Sequence, residues 1–373
     1  MNSENLKYCR VVVKIGSHLI VSGSDEFITS IAKQVKVLRE HKCEIIIVSS
    51  GAIATGLKEY DVNSKPKTII EKQCYAAVGQ PLLMNKYIKA FQPYNITVAQ
   101  ILLTREDFDD RKRYVNIKNT LNKLLHMNVV PIINENDTVA TEEIKLGDND
   151  TLSAIVATKL DAELLVLLTD VDGIYDKDPA VYANAKIIRE IQNLDEIERE
   201  CRISTKSKFF CGTGGMKTKL AAAKICVHSG VDVVIANGMK NNILVDIVEG
   251  KTVGTKIYSV KKANRVTSRD KWIAFVSKPK GRIFVDSGAA DAIIKKNKSL
   301  LPVGIRKTEG MFKKGDVVSV CTIDGKEIAR GIVNYSSEEI EVIKKKKTEE
   351  IKKIFPQFST EEVIHVDNLV ILN

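Results

Sequence analysis

Short apolar runs rich in valine, isoleucine and leucine alternate with helical stretches through the first 260 or so of 373 residues, and this constrains the fold most. Segments 10–15, 44–48, 95–103, 129–133, 163–169 and 231–236 read as strands. Most are apolar at consecutive positions, as strands buried on both faces are; helical connections then return successive strands in parallel. Residues 25–41 carry a helical period, and another helix should open after Ser49-Ser50-Gly51. The expected fold class is α/β, a three-layer sandwich with a mainly parallel central sheet.

After residue 260 the texture changes. A domain at 1–260, a polar, basic linker at 261–271 and a second domain at 272–373 are expected. The second has short β-like pieces at 272–276, 282–285, 317–322, 328–333 and 363–372, with glycines between them. That pattern suits a small, mostly-β module.

Composition excludes several classes. No apolar run reaches the roughly 18 residues of a membrane span. The first residues lack the features of a secretory signal, so a cytoplasmic location is expected. Seven cysteines form no C-x-x-C pair, and five histidines show no i, i+4 spacing, which argues against a disulfide frame or zinc site. The net charge of +10 suits a nucleic acid or an anionic substrate, and its spread over both parts of the chain weakens a purely nucleic-acid reading.

Ligands of open α/β sheets bind beyond the carboxyl ends of the strands, and the polar signals fall there. Lys14-Ile15-Gly16-Ser17 closes the first strand; it is either a cationic anion-binding turn or an ordinary one. Ser49-Ser50-Gly51-Ala52 opens a helix, whose N–H groups suit a carboxylate or phosphate, with a serine N-cap as the bland alternative. Asp170 and Asp172, in Thr169-Asp170-Val171-Asp172-Gly173, are turn residues or nucleotide contacts. Gly212-Thr213-Gly214-Gly215-Met216-Lys217-Thr218-Lys219, ahead of a helix expected at 220–229, is the strongest anion-loop signal. It is neither a Walker A loop nor a dinucleotide fingerprint. Gly250-Lys251-Thr252 ends like a Walker loop, but Val245 replaces its first glycine. Against these stand Glu135-Asn136-Asp137-Thr138 and Gly147-Asp148-Asn149-Asp150, a concentration of acceptors that suits an ammonium group or a hydrated metal. A nucleotide beside a zwitterionic acceptor satisfies both sets.

The segments VVVKIGS, VSSGAIATG, NENDT, KLGDNDTLSA, LLTDVDGIYDKDP and GTGGMKTK together resemble the glutamate 5-kinases of the amino acid kinase family, over essentially the whole chain. Residues from about 272 onward resemble the PUA domain appended to many bacterial members. The resemblance implies the amino acid kinase fold and ATP-dependent phosphorylation of the γ-carboxylate of L-glutamate, the first step of proline synthesis, inhibited by proline. It implies Mg²⁺ held mainly by nucleotide phosphates, with no metal-ligating residues of the protein. A homo-oligomer, dimer or tetramer, is expected, and glutamyl phosphate reductase is a further expected partner; RNA binding by the PUA domain stays open. Carried onto this sequence, the catalytic group is Lys14, Lys219 and Asp150. The ATP-binding group is Lys14, Gly16, Ser17, Thr169, Asp170, Thr213, Gly214, Gly215, Met216, Lys217, Thr218 and Lys219. The substrate-binding group is Ser50, Gly51, Asn134, Asp137, Asp148 and Asn149. His18 departs from the small residue frequent after Gly16-Ser17, and the family's G-M-x-T pattern selects Lys219 over Lys217 as the catalytic lysine.

The chemistry agrees with this resemblance. A γ-carboxylate with a pKa of about 4.3 is ionised at neutral pH and attacks phosphorus without a general base. The transfer needs alignment and neutralisation of anionic charge, tasks for lysines and backbone N–H groups. The nearest alternatives are other amino acid kinases acting on acetylglutamate, aspartate or UMP. From a different class comes an RNA-binding protein, using Lys295-Lys296 and the lysines at 344–347.

Overall fold

Strand β1 (Arg10–Ile15) is the middle of the larger sheet and is buried over its last five residues. The others are β2 (Glu44–Ser49), β3 (Val98–Leu103), β4 (Val130–Glu135), β5 (Leu164–Thr169), β6 (Glu190–Ile191), β7 (Asp232–Asn237) and β8 (Thr255–Ile257). Their order is β3-β4-β2-β1-β5-β7-β8-β6. Pairing is parallel except for β7 with β8, which is antiparallel. The computed structural model describes residues 6–372, except 23, 63, 65, 141–147, 180, 195–213, 260–272, 274–278, 347–349 and 352–360.

Helices cover both faces. They are α1 (Ser17–Ser22), α2 (Ser24–Glu40), α3 (Ala52–Glu59), α4 (Ile69–Phe91), α5 (Arg111–His126), α6 (Asp148–Lys159), α7 (Gly214–His228) and α8 (Ile243–Val248). Strand period two sends Val11, Val13 and Ile15 into one core with residues of α2, α4 and α8. Val12 and Lys14 face the other side, where α6 crosses β1, so Lys14 points at the first turn of α6. The three-layer sandwich with its mainly parallel sheet is the expected fold class.

Two compact units divide the chain, Met1–Ala263 and Asn264–Asn373. The second contains β9 (Arg282–Val285), β10 (Ile305–Glu309), β11 (Val317–Thr322), β12 (Glu327–Ile332) and β13 (Leu369–Ile371) in the order β10-β9-β11-β12-β13. Helices α9 (Ser287–Lys296) and α10 (Ser337–Ile343) lie between strands, and a separate core includes Ile283, Val318, Val320, Ile340 and Ile364.

Several boundaries differ from the sequence expectation. The strand expected at 363–372 shrinks to Leu369–Ile371, because Val366–Asn368 is a 3-10 turn. That expected at 272–276 lies outside the described residues, apart from Ile273. The helix expected at 220–229 begins earlier, at Gly214, so six residues read as an anion loop form its first turns. Strands β6, β8 and β10 and helices α1, α9 and α10 were not anticipated.

Candidate active site

The C-terminal ends of β4, β2, β1 and β5 lie side by side and border one cleft of about 650 Å³. The chain leaves β1 for β2 on one side and returns to β5 on the other. The cleft therefore sits at the reversal of strand order, where open α/β sheets bind ligands.

Asp150 holds two cations in its floor. Lys14 sits one residue before the end of β1 and is 5% exposed; its Nζ lies 2.6 Å from Asp150 Oδ1. Lys219 Nζ, from the second turn of α7, lies 3.3 Å from Asp150 Oδ2. Thr218 Oγ1 donates to the same oxygen at 2.7 Å, with the Gly215 carbonyl 2.9 Å away. Asp150 is in the first turn of α6, where the helix dipole favours a carboxylate. Lysine near the start of α7 breaks the same rule, and such local conflicts are characteristic of functional sites.

Burial and these charges together set the titration of Lys14 and Asp150. Burial lowers the pKa of Lys14 below its ordinary 10.5; Asp150 opposes this and Lys219 adds to it. Burial alone would raise Asp150, but the ammonium groups of Lys14 and Lys219 outweigh it and hold the carboxyl below its ordinary 3.8. Two lysines around one aspartate leave a local excess of positive charge, suited to a polyphosphate.

The same cleft is also lined by a set of acceptors. Glu135, the last residue of β4, and Asp137 beyond it line the cleft, and Asn149 lines it from the first turn of α6. Asn134 is 2% exposed and is not among the lining residues; its amide is engaged by Gln80, Asn149 and the Glu135 backbone. Ser50 and Gly51 border the cleft between β2 and α3. The N-cap of α3 is Gly51, at φ 102°, with no side-chain cap, so the serine N-cap reading does not hold. Ser49 Oγ instead accepts from the buried Tyr87 hydroxyl at 2.9 Å and donates to the Ser50 carbonyl.

Gly16, Ser17, Thr169, Asp170 and Gly215 line the cleft together with Thr218 and Lys219. An added Cβ on Gly215 would meet nothing within 4 Å, which leaves this backbone open to a ligand. Thr169 Oγ1 donates to Asp170 Oδ1 at 3.0 Å, and His18 Nδ1 lies 3.6 Å from Asp170 Oδ2. Asp172 accepts from Asn237 at 3.0 Å and pairs with Lys240 at 2.9 Å, which favours its turn reading. Lys217 is exposed, and neither it nor Gly214 and Met216 is among the lining residues. Thr213 and the side chain of Asp148 lie outside the described residues.

Lys72 of α4 also lines the cleft, and Gln80 and Tyr87 of the same helix support it from behind; these three were absent from the sequence expectation. Lys72 lay in a helix with no glycine turn beside it. The other two are single polar residues on a mostly apolar helix face, which sequence cannot distinguish from core hydrogen bonds. The donor set of two ammonium groups and exposed glycine backbone fits a nucleotide polyphosphate. Among the described residues, no three His, Cys, Asp or Glu side chains converge on a metal position, and no helix is long and apolar enough to cross a membrane.

Comparison with known proteins shows the family. Residues 10–237 match the amino acid kinase family, and residues 281–355 match the PUA domain. The glutamate 5-kinase of Thermoanaerobacter sp. (strain X514) is 50% identical over 97% of this chain and 98% of its own. That of Dictyoglomus thermophilum is 48% identical, and that of Geobacter sulfurreducens 44%, each over 98% of both chains. The chain is a kinase, and it belongs to the amino acid kinase family, among the glutamate 5-kinases that carry a C-terminal PUA domain.

Proposed function

We propose that the enzyme transfers the γ-phosphoryl group of ATP to the γ-carboxylate of L-glutamate, giving L-glutamyl 5-phosphate and ADP in the first step of L-proline synthesis. The observation that carries this reading is Asp150 clamped between Lys14 and Lys219 at the switch point, in one cleft with the acceptors Glu135, Asp137 and Asn149. The glutamate 5-kinase relatives support the choice of acceptor.

Lys14 and Lys219 flank the transferring group and offset its charge, in a floor too buried for water to screen them. Asp150 keeps the two ammonium groups apart and oriented before the nucleotide arrives. Backbone N–H groups at Gly16, Ser17 and Gly51 are placed for phosphate and acceptor carboxylate. Thr169, Asp170 and the first turns of α7, with Thr213, form the ATP side; Gly215, Thr218 and Lys219 provide its cleft wall. On the acceptor side, Ser50, Asp137, Asp148 and Asn149 hold glutamate, with carboxylates toward its α-ammonium and Asn134 supporting from behind. Mg²⁺, held mainly by phosphate oxygens and water as its chemistry favours, would neutralise charge on the nucleotide.

The same reading makes proline an inhibitor sharing the acceptor pocket, and the enzyme a cytoplasmic homo-oligomer, dimer or tetramer, with glutamyl phosphate reductase as a partner. It places the kinase domain at 1–260, the linker at 261–271 and the PUA domain at 272–373. RNA binding by the PUA domain ranks second, because Lys295 lies 3.0 Å from Asp291 and Lys344 pairs with Glu341, which leaves fewer free cations for phosphates. An ADP-release assay over glutamate, acetylglutamate, aspartate and UMP, with and without proline, tests the proposal. Glutamate should give the highest kcat/KM, with proline competing against it; faster turnover of another acceptor overturns it.

A further inference from the structure

Gln80 belongs to α4, outside the strand-end turns themselves, and is 8% exposed. Its Oε1 accepts from Asn134 Nδ2 at 2.8 Å. Asn134 Oδ1 accepts from the Glu135 backbone N–H at 2.9 Å and from Asn149 Nδ2 at 3.1 Å. The polarity of this relay follows from one group that cannot be turned round. A backbone N–H only donates, so the Asn134 atom facing Glu135 is the oxygen. The amino group of Asn134 then faces Gln80, which must present its own oxygen. The Asn149 atom that meets Asn134 Oδ1 must be the amino group.

Asn149 is thereby left with its Oδ1 turned elsewhere. That oxygen is buried and has no hydrogen-bond partner among the described residues, while the residue lines the cleft. A buried acceptor without a donor is costly, and a ligand that brings an N–H removes the cost. An ammonium group fits this oxygen; a carboxylate does not.

We infer that Gln80 is a positioning residue for the acceptor half of the site. It gives the buried Asn134 amino group its acceptor and so keeps Asn149 presenting an oxygen to an amino acid's ammonium group. This rests on the reading of the substrate as an amino acid. Without Gln80 the Asn134 amide would gain by rotating toward another acceptor, and Asn149 would lose its anchor. A carboxylate at position 80 would still accept from Asn134.

Steady-state kinetics of the full-length enzyme test this. Gln80→Met should raise the KM for glutamate about tenfold, with kcat and the KM for ATP within about twofold of wild type. Gln80→Glu should restore the glutamate KM to within about threefold of wild type. In an Asn149→Ala background, Gln80→Met should add nothing to the glutamate KM, because the relay no longer has an end to aim. An unchanged glutamate KM in Gln80→Met, or an additive effect in the Asn149→Ala background, overturns the inference. So does a tenfold rise in Gln80→Glu, which decides the matter even if Gln80→Met does not fold. A wild-type enzyme that prefers another amino acid overturns only the choice of glutamate, and the same variants are then read on the KM for that acceptor.

Discussion

Replacing Asp150 by asparagine isolates the electrostatics of the cleft, because the side chain keeps its shape and loses its charge. Its carboxylate meets Lys14 at 2.6 Å, Lys219 at 3.3 Å and Thr218 at 2.7 Å, with Lys14 and Asp150 side chains only 6% and 1% exposed. Removing one partner of a buried ion pair costs about 3 to 5 kcal/mol, and here two cations depend on one anion. An amide oxygen still accepts one donor, worth about 1 kcal/mol. The expected loss for Asp150→Asn is therefore about 3 to 4 kcal/mol at neutral pH, read by urea denaturation without nucleotide. The pH dependence supplies the sharper test. A carboxyl held below its ordinary value of 3.8 contributes stability that is present above that value and lost as pH falls through its folded-state pKa. The gap between variant and wild type should be full at neutral pH and should close on the acid side of about pH 4. Turnover should fall about 100-fold as the ammonium groups lose their orientation. Equal stability at neutral pH, or a gap that widens on acidification, would refute the clamp.

Lys219→Ala should lower kcat by about 100-fold or more while Lys217→Ala stays within about twofold, since only Lys219 reaches Asp150; steady-state assays of both would separate them. An added Cβ on Gly79 would lie 1.8 Å from the Ala52 carbonyl oxygen and 2.5 Å from the Gly56 nitrogen. Gly79→Ala should therefore destabilise the fold by about 3 kcal/mol in a denaturant melt and raise the KM for glutamate by displacing α3. Lys159 is 2% exposed over the Tyr114 ring, and burial, with Lys118 adding to it, lowers its pKa from 10.5 to about 6. The unfolded chain binds the extra proton between those values, so wild-type stability should rise with pH across that window. Lys159→Met should be more stable than wild type by about 3 kcal/mol at pH 7, with the advantage shrinking by about pH 10, as urea melts at the two pH values would show.

The strands of the larger sheet were legible because burial on both faces writes itself as consecutive apolar residues. Arg10–Ile15 and Leu164–Thr169 are such runs, each buried over at least five of six positions. Three-residue β8 carries no period, and its antiparallel pairing with β7 is a tertiary fact. Glycines misled in one direction: Gly214 and Gly215 argue against a helix by intrinsic propensity, yet α7 begins there. They misled in the other at Gly51, whose φ of 102° suits glycine and displaces the serine N-cap expected beside it. Lys14 and Asp150 stood out as charges at the edges of apolar or helical runs. Gln80 did not, because its partner is 54 positions away and nothing local marks it.

What sequence could not show is that the acceptor half of the cleft is supported by one helix. The N-terminus of α4 is fixed by a capping box between Thr68 and Glu71, and Lys72 then faces the cleft. At Gly79 and Gly56 the helices α4 and α3 approach backbone to backbone, which sets the position of the α3 N-terminus at Gly51. Gln80 fixes Asn134, and Tyr87 fixes Ser49. These supports lie on a single 23-residue helix, so a displacement of α4 would shift Gly51, Ser50 and Asn149 together. The lysine clamp depends instead on β1, α6 and α7. The two halves thus share only the first turn of α6, which carries Asn149 beside Asp150, and substitutions in α4 should act on the acceptor KM while those around Asp150 act on kcat.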